Sequence, residues 1–352
     1  MTRTMFGVQL MGHGGPEQLA LRNDIPVPQP KPDETLIRVL AAGVNNTDIN
    51  TRLGWYAKNI TGATGDVDDA PSGGGGWGGA LSFPRIQGGD LCGEVAALGS
   101  PHPEIRIGQR VTCATNQSMP TPANPLHFES LGSERDGAFA QFCCVPTNQL
   151  FDVTASPLTH TEIGAMPCAY GTALGLLRRA AVGSQDRILV TGASGGVGLA
   201  TVQLGKYLGA TVWAVSSPAK AKAVSDAGAD EWIDRDAPLN DERFDAVIDV
   251  VGGDQFGRWL DVLRPGGRLA IAGAIAGPMT EIDLRTLYLK DLSLYGCTHQ
   301  PRSVFSELVA LMNQAAIRPL VSKTYPLDEI VAAQADFMSK RYPGKLVLIP
   351  PA

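Results

Sequence analysis

The octapeptide TGASGGVG, residues 191–198, directly follows the apolar run Arg187-Ile188-Leu189-Val190 and leads into a helical pattern. A buried strand must turn there, through Gly192 and Gly195-Gly196, into a helix whose first backbone N–H groups have no partner within it. Those donors and the positive end of the helix dipole make a seat for a diphosphate. Glycine is needed because a side chain would block the tight turn, the close phosphate approach or the helix–sheet contact. A Gly-rich run alone means little; its weight comes from the strand before it and the βα units after it. From Asp186 to Gly296 strands are expected at 187–191, 211–215, 244–250, 267–273 and 292–295, with helices near 196–208, 218–227, 254–263 and 283–290. This alternation predicts an α/β fold, a doubly wound parallel sheet with helices on both faces. A dinucleotide is the expected ligand, held by Gly192, Ser194, Gly195, Gly196, Val197 and Gly198.

The first 150 residues read differently. Short apolar segments at 6–10, 36–41, 93–98, 110–114 and 138–145 are punctuated by Pro and Gly clusters such as PVPQPKPDE. That spacing predicts a small irregular barrel or sandwich. Over residues 161–182 apolar positions recur at helical spacing, predicting one or two bridging helices. The tail predicts helices at 304–313 and around 328–339, then a closing strand, Lys345–Ile349. Such a strand does not easily join a doubly wound sheet, so it is expected to return to the N-terminal domain. Residues 57–85, with Gly73–Gly76 beside Trp77, read either as a solvated loop or as a lid.

Composition narrows the function classes. At 352 residues and 44% hydrophobic content, two domains with full cores are expected. A formal charge of −6 argues against nucleic acid or an anionic membrane as partner. No stretch approaches the roughly 20 apolar residues of a membrane span, and the first residues lack the apolar core of a secretory signal. The six cysteines show no CxxC and no framework spacing, so reduced thiols and a cytoplasmic location are expected.

Eight segments carry a resemblance: AAGVNNTD (41–48), GGDLCGEVAALG (88–99), GAFAQFCCVP (137–146), PCAYGTALGLL (167–177), TGASGGVGLATVQLGKYLGATV (191–212), FDAVIDVVGG (244–253), LRPGGRLAIAG (263–273) and GKLVLIP (344–350). In this order they resemble the medium-chain dehydrogenase/reductase superfamily, and the chain looks like a zinc-free, quinone oxidoreductase-like member. The resemblance implies a GroES-like, β-rich catalytic domain over 1–158 and 300–352, a Rossmann NADP-binding domain over 159–299, and a cleft between them. Zinc members place ligands in V-C-x-S/T-D, in G-H-E and at a further Cys; here those positions are Asn45, Gly89 and Cys168. Catalytic zinc needs three protein ligands, so no metal is expected, although Asp48, Asp90 and Cys168 leave an atypical site open. The four-cysteine structural zinc lobe is also missing, since residues 113–142 hold only Cys113.

Without a Lewis acid, oxidation of a simple alcohol is hard, and hydride delivery to an electron-poor carbon remains. The resemblance implies reduction of a quinone or an activated alkene or carbonyl. Candidate catalytic residues are Asn45, whose amide could hold an oxyanion, Thr47 for proton relay, and Tyr56 near the substrate; turn-holding and packing are their plainer readings. After the second strand of the cofactor domain comes Ser216-Ser217-Pro218-Ala219-Lys220 with no acid, and Arg235 follows the next strand. Ser217, Lys220 and Arg235 suit the 2′-phosphate of NADPH rather than the 2′-hydroxyl of NADH. By resemblance, Thr172, Val251, Gly252, Ile271, Gly273 and Ala274 approach the nicotinamide side, and Lys345 contacts a phosphate. The apolar last strands of the sheet suggest a homodimer. Two other readings stay open: a zinc-type alcohol or polyol dehydrogenase with an atypical metal site, and a non-catalytic NADPH-binding scaffold or redox sensor.

Overall fold

The computed structural model describes residues 3–66, 75–76, 79–239 and 242–352. Most of the Gly-rich run around Trp77 lies outside the described residues. Two compact units form. One takes in the described residues of 1–60, 67–168 and 299–352, and the other those of 61–66 and 169–298.

The first unit begins with β1 (Thr4–Leu10), β2 (Leu19–Pro26) and β3 (Glu34–Gly43), followed by α1 (Asn46–Leu53). Next come β4 (Arg85–Ile86), β5 (Cys92–Leu98), β6 (Arg110–Cys113), β7 (Asn116–Ser118), β8 (Phe128–Ser130), β9 (Phe142–Pro146) and β10 (Leu150–Asp152). Strand β2 gave no apolar signal because residues 22–24 face solvent, and it pairs only with β1 at a sheet edge. Helix α2 (His160–Gly164) opens on Thr159, whose hydroxyl accepts from the Glu162 N–H. Gly164 lies against Ala41, so α2 packs on β3. Ile37, Leu91, Val111, Phe139 and Leu348 are fully buried in this unit's core, each contributing about 1.5–3 kcal/mol relative to exposure.

The second unit starts on α3 (Pro167–Arg179), whose first two residues belong to the first. It continues through β11 (Arg187–Val190), α4 (Gly196–Tyr207), β12 (Thr211–Ser216), α5 (Ala221–Asp226), β13 (Glu231–Asp234) and β14 (Phe244–Asp249). Then follow α6 (Arg258–Asp261), β15 (Leu263–Ile271), α7 (Leu284–Leu289) and β16 (Ser293–Gly296). All six strands are parallel, in the order β13-β12-β11-β14-β15-β16. This is the expected doubly wound sheet. The chain leaves β11 in one direction and β14 in the other, which opens a crevice at their carboxyl ends. The helix expected over 254–263 shortens to α6, because turns occupy 254–257 and β15 already begins at Leu263.

The chain then returns through α8 (Arg302–Gln314), β17 (Val321–Pro326), α9 (Ile330–Met338) and β18 (Lys345–Ile349). Strand β18 pairs antiparallel with β3, Val347 opposite Gly43 and Leu348 opposite Ala42. The closing strand thus completes the first unit's main sheet, as its sequence predicted. Extending that register by two residues brings Lys345 opposite Asn45.

Candidate functional site

In the second unit the turn from β11 to α4 places Gly192 at φ 55°, a left-handed conformation that a side chain would strain. Gly195 caps α4 without any side-chain hydrogen bond, the arrangement in which first-turn N–H groups can receive an anion. Gly198 is needed for packing: a Cβ there would stand 2.2 Å from the Gly192 carbonyl oxygen and 2.5 Å from the Ala193 Cα. Ser194 and Val197 lie in the same turn and first helical turn, half-buried. The structure therefore brings all six residues of the expected phosphate seat into one turn at the carboxyl end of β11.

A second loop closes on the first through a residue that sequence reasoning missed. Asp249, fully buried at the end of β14, accepts from the Thr191 hydroxyl at 2.6 Å and from the Gly252 N–H at 2.9 Å. Burial raises its carboxyl above the usual carboxylate range. One side chain thus ties the phosphate turn to the Val251-Gly252 segment. The signal was present: an acid inside the apolar strand FDAVID must find donors or be costly. Val251 in turn accepts from the Ala276 N–H at 2.9 Å. Ile271, Gly273 and Ala274 lie at the carboxyl end of β15, beside that loop, and Thr172 is half-buried in α3.

Ser217 and Lys220 follow the end of β12, and Arg235 follows the end of the neighbouring β13. Ser216 pairs with Asp234, and the Arg235 N–H reaches the Ser216 carbonyl at 3.3 Å. Lys220 is half-buried and its pKa is lowered by that burial. The Arg235 guanidinium is exposed and lies 3.8 Å from the carboxylate of exposed Asp236.

The first unit holds a dry polar cluster where β3, α1 and β18 converge. Asp90 is 0% and Lys345 2% exposed, and their charges meet at 2.9 Å. Lys345 Nζ also donates to Asn45 Oδ1 and to the Val44 carbonyl at 3.1 Å. Asn45 Nδ2 donates to Asp90 Oδ2 at 2.9 Å and to the Gly43 carbonyl at 3.3 Å. The other Asp90 oxygen takes the Cys168 N–H at 2.6 Å. Asp48 accepts the Asn45 N–H at 2.8 Å, and burial lifts its carboxyl to about 7. Burial likewise pushes the Cys168 thiol to about 12, so it stays protonated at neutral pH.

Two expectations are corrected here. Both amide hydrogens of Asn45 are spent inside the cluster, leaving none for a substrate oxyanion. Lys345 is buried with its three hydrogens on three protein acceptors, so it offers nothing to a cofactor phosphate. Thr47 sits half-buried in the first turn of α1, and Tyr56 follows that helix past the Gly54 cap. The Asn50 side chain hydrogen-bonds the Tyr56 phenol, while burial raises that phenol's pKa. Asn50 itself accepts from Asn46 at 3.2 Å.

Two family profiles match this sequence: "Alcohol dehydrogenase GroES-like domain" over residues 31–155 and "Zinc-binding dehydrogenase" over residues 220–348. A solved structure from Sinorhizobium meliloti 1021 is 39% identical, with TM-score 0.88, over 100% of this chain and 98% of that one. The quinone oxidoreductase of Mus musculus is 25% identical over 99% of this chain and 98% of its own. Acryloyl-coenzyme A reductase of Metallosphaera sedula is 27% identical over 91% and 93%.

Proposed function

Because the chain belongs to the medium-chain dehydrogenase/reductase superfamily and is an oxidoreductase, we propose that it reduces quinones or activated alkenes and carbonyls with NADPH, without zinc. The observation that carries this reading is the Asp90–Lys345–Asn45 cluster in place of a ligand set. A zinc ion does not fit the residues present. Asn45 and Asp90 are committed to the lysine, and Asp90 also holds the Cys168 N–H. Gly89 supplies no ligand, and a Cβ there would lie 2.6 Å from Thr115 Cγ2, so any side chain at this position would require Thr115 to shift. Among the described residues no group of three or more His, Cys, Asp or Glu is placed to hold a metal.

Bound NADPH would supply hydride to the acceptor carbon or ring. The chain's own part is to hold the developing negative charge and to deliver a proton. Thr47 and Tyr56 are the proposed donors; the raised pKa of Tyr56 keeps its phenol protonated at neutral pH. The test is an NADPH-oxidation screen over quinones, enones, aldehydes and enoyl thioesters, with and without a metal chelator. Turnover of at least one electron-poor class, unchanged by the chelator, is expected. Loss of turnover on chelation, restored by zinc, would overturn the reading.

Preference for NADPH rests on Ser217, Lys220 and Arg235 at one strand edge. Each charge-assisted bond to a 2′-phosphate is worth about 1.5–3 kcal/mol. The Lys220→Glu, Arg235→Glu double variant is therefore expected to raise KM for NADPH more than about tenfold, leaving NADH nearly unchanged. Equal losses with both cofactors would remove these residues from the 2′ site.

A homodimer is also proposed. Strand β16 is an edge strand carrying exposed Leu294, and Leu284, Tyr288 and Leu289 of α7 are exposed as well. Light scattering should give twice the chain mass; a monomer at micromolar concentration would argue against it. The six free thiols suit a reducing compartment, and cytoplasmic fractionation of the native protein would check this. No helix among the described residues is long and apolar enough to cross a membrane.

A further inference from the structure

An ammonium ion carries three hydrogens, and the fold gives Lys345 three acceptors: Val44 O, Asn45 Oδ1 and Asp90 Oδ2. Asp90 in turn receives Lys345, Asn45 and the Cys168 N–H, so neither charge lacks a partner although water is excluded from both. Two of these residues, Asn45 and Cys168, stand where zinc members of the superfamily carry ligands. We propose that the Lys345 ammonium is a resident cation standing in for the metal: it organises Asn45 and Asp90 and closes the pocket to divalent ions. A single positive charge matches the ammonium's immediate shell of one carboxylate, one amide oxygen and one carbonyl, while the second buried carboxyl, Asp48, is taken by the Asn45 N–H. An entering divalent ion would have to evict the ammonium from its carboxylate, amide oxygen and carbonyl while gaining no imidazole. Since every hydrogen of the ammonium is used, it neither polarises a substrate nor meets a phosphate. Its role is positioning, at the β3–α1 junction that leads to Thr47.

This rests on the zinc-independent reading, yet its test needs no turnover. Wild-type protein dialysed against zinc and then against buffer should retain far less than one metal per chain. Lys345→Ala should melt at lower temperature, and n-propylammonium, which replaces the deleted atoms, should restore much of the loss. Neutral n-propanol should not. The Lys345→Met, Asp90→Asn double variant removes both charges and should fold and ignore n-propylammonium. If Lys345→Ala does not fold, folding of the double variant supports the charge pairing, and its failure as well overturns the proposal. Equal rescue by propanol reduces Lys345 to packing and sinks the proposal alone. One retained zinc per wild-type chain sinks it together with the zinc-independent reading.

Discussion

Replacing Asp90 by alanine is expected to destabilise the protein by about 3–5 kcal/mol, because it strands a buried ammonium without its counter-charge. Asp90 also holds the Cys168 N–H at the start of α3, so a second buried donor loses its acceptor. Urea unfolding at pH 7 reads the loss directly as a lower midpoint at unchanged slope. Asp90→Asn keeps an acceptor for that N–H and should cost less. A loss under about 1 kcal/mol for Asp90→Ala would mean that the pair is solvated, contrary to its burial.

Gly198→Ala should have the largest effect on the cofactor seat. The new Cβ would sit 2.2 Å from one backbone oxygen and 2.5 Å from a backbone carbon, so the turn itself must move. Overpacking of this kind costs about 1–3 kcal/mol, and the displaced N–H groups would no longer converge on a diphosphate. NADPH affinity, followed by fluorescence titration, should fall more than about tenfold, as a loss above 1.4 kcal/mol requires. Gly195→Ala is the control. Its Cβ would meet only the Gly192 oxygen, at 3.5 Å, so the fold should hold and any weakening would come from the ligand's approach. Wild-type NADPH affinity in Gly198→Ala would move the seat elsewhere.

Much of the second unit was legible because its cues are local. A strand, a glycine turn and a helix follow one another within about twenty residues, and the alternation behind them leaves few topologies. The edges of elements were less legible: α6 shrank because turn residues and the early start of β15 claimed its ends. Strand β2 was invisible because its exposed residues carry no apolar period. Asp249 was readable as an odd acid in an apolar strand, though its partners, Thr191 and Gly252, were not.

The roles of Asn45 and Lys345 show where local reading stops. Each was assigned by the motif around it, as an oxyanion donor and a phosphate contact. Their actual partners are each other, 300 residues apart in the chain. The residue order by itself determined the glycine turn after β11, the doubly wound sheet and the return of the last strand. Which polar groups would share a dry pocket was decided only in three dimensions. That depends on the register between β3 and β18 and on the approach of Asp90, and no local periodicity encodes a pairing between segments so distant.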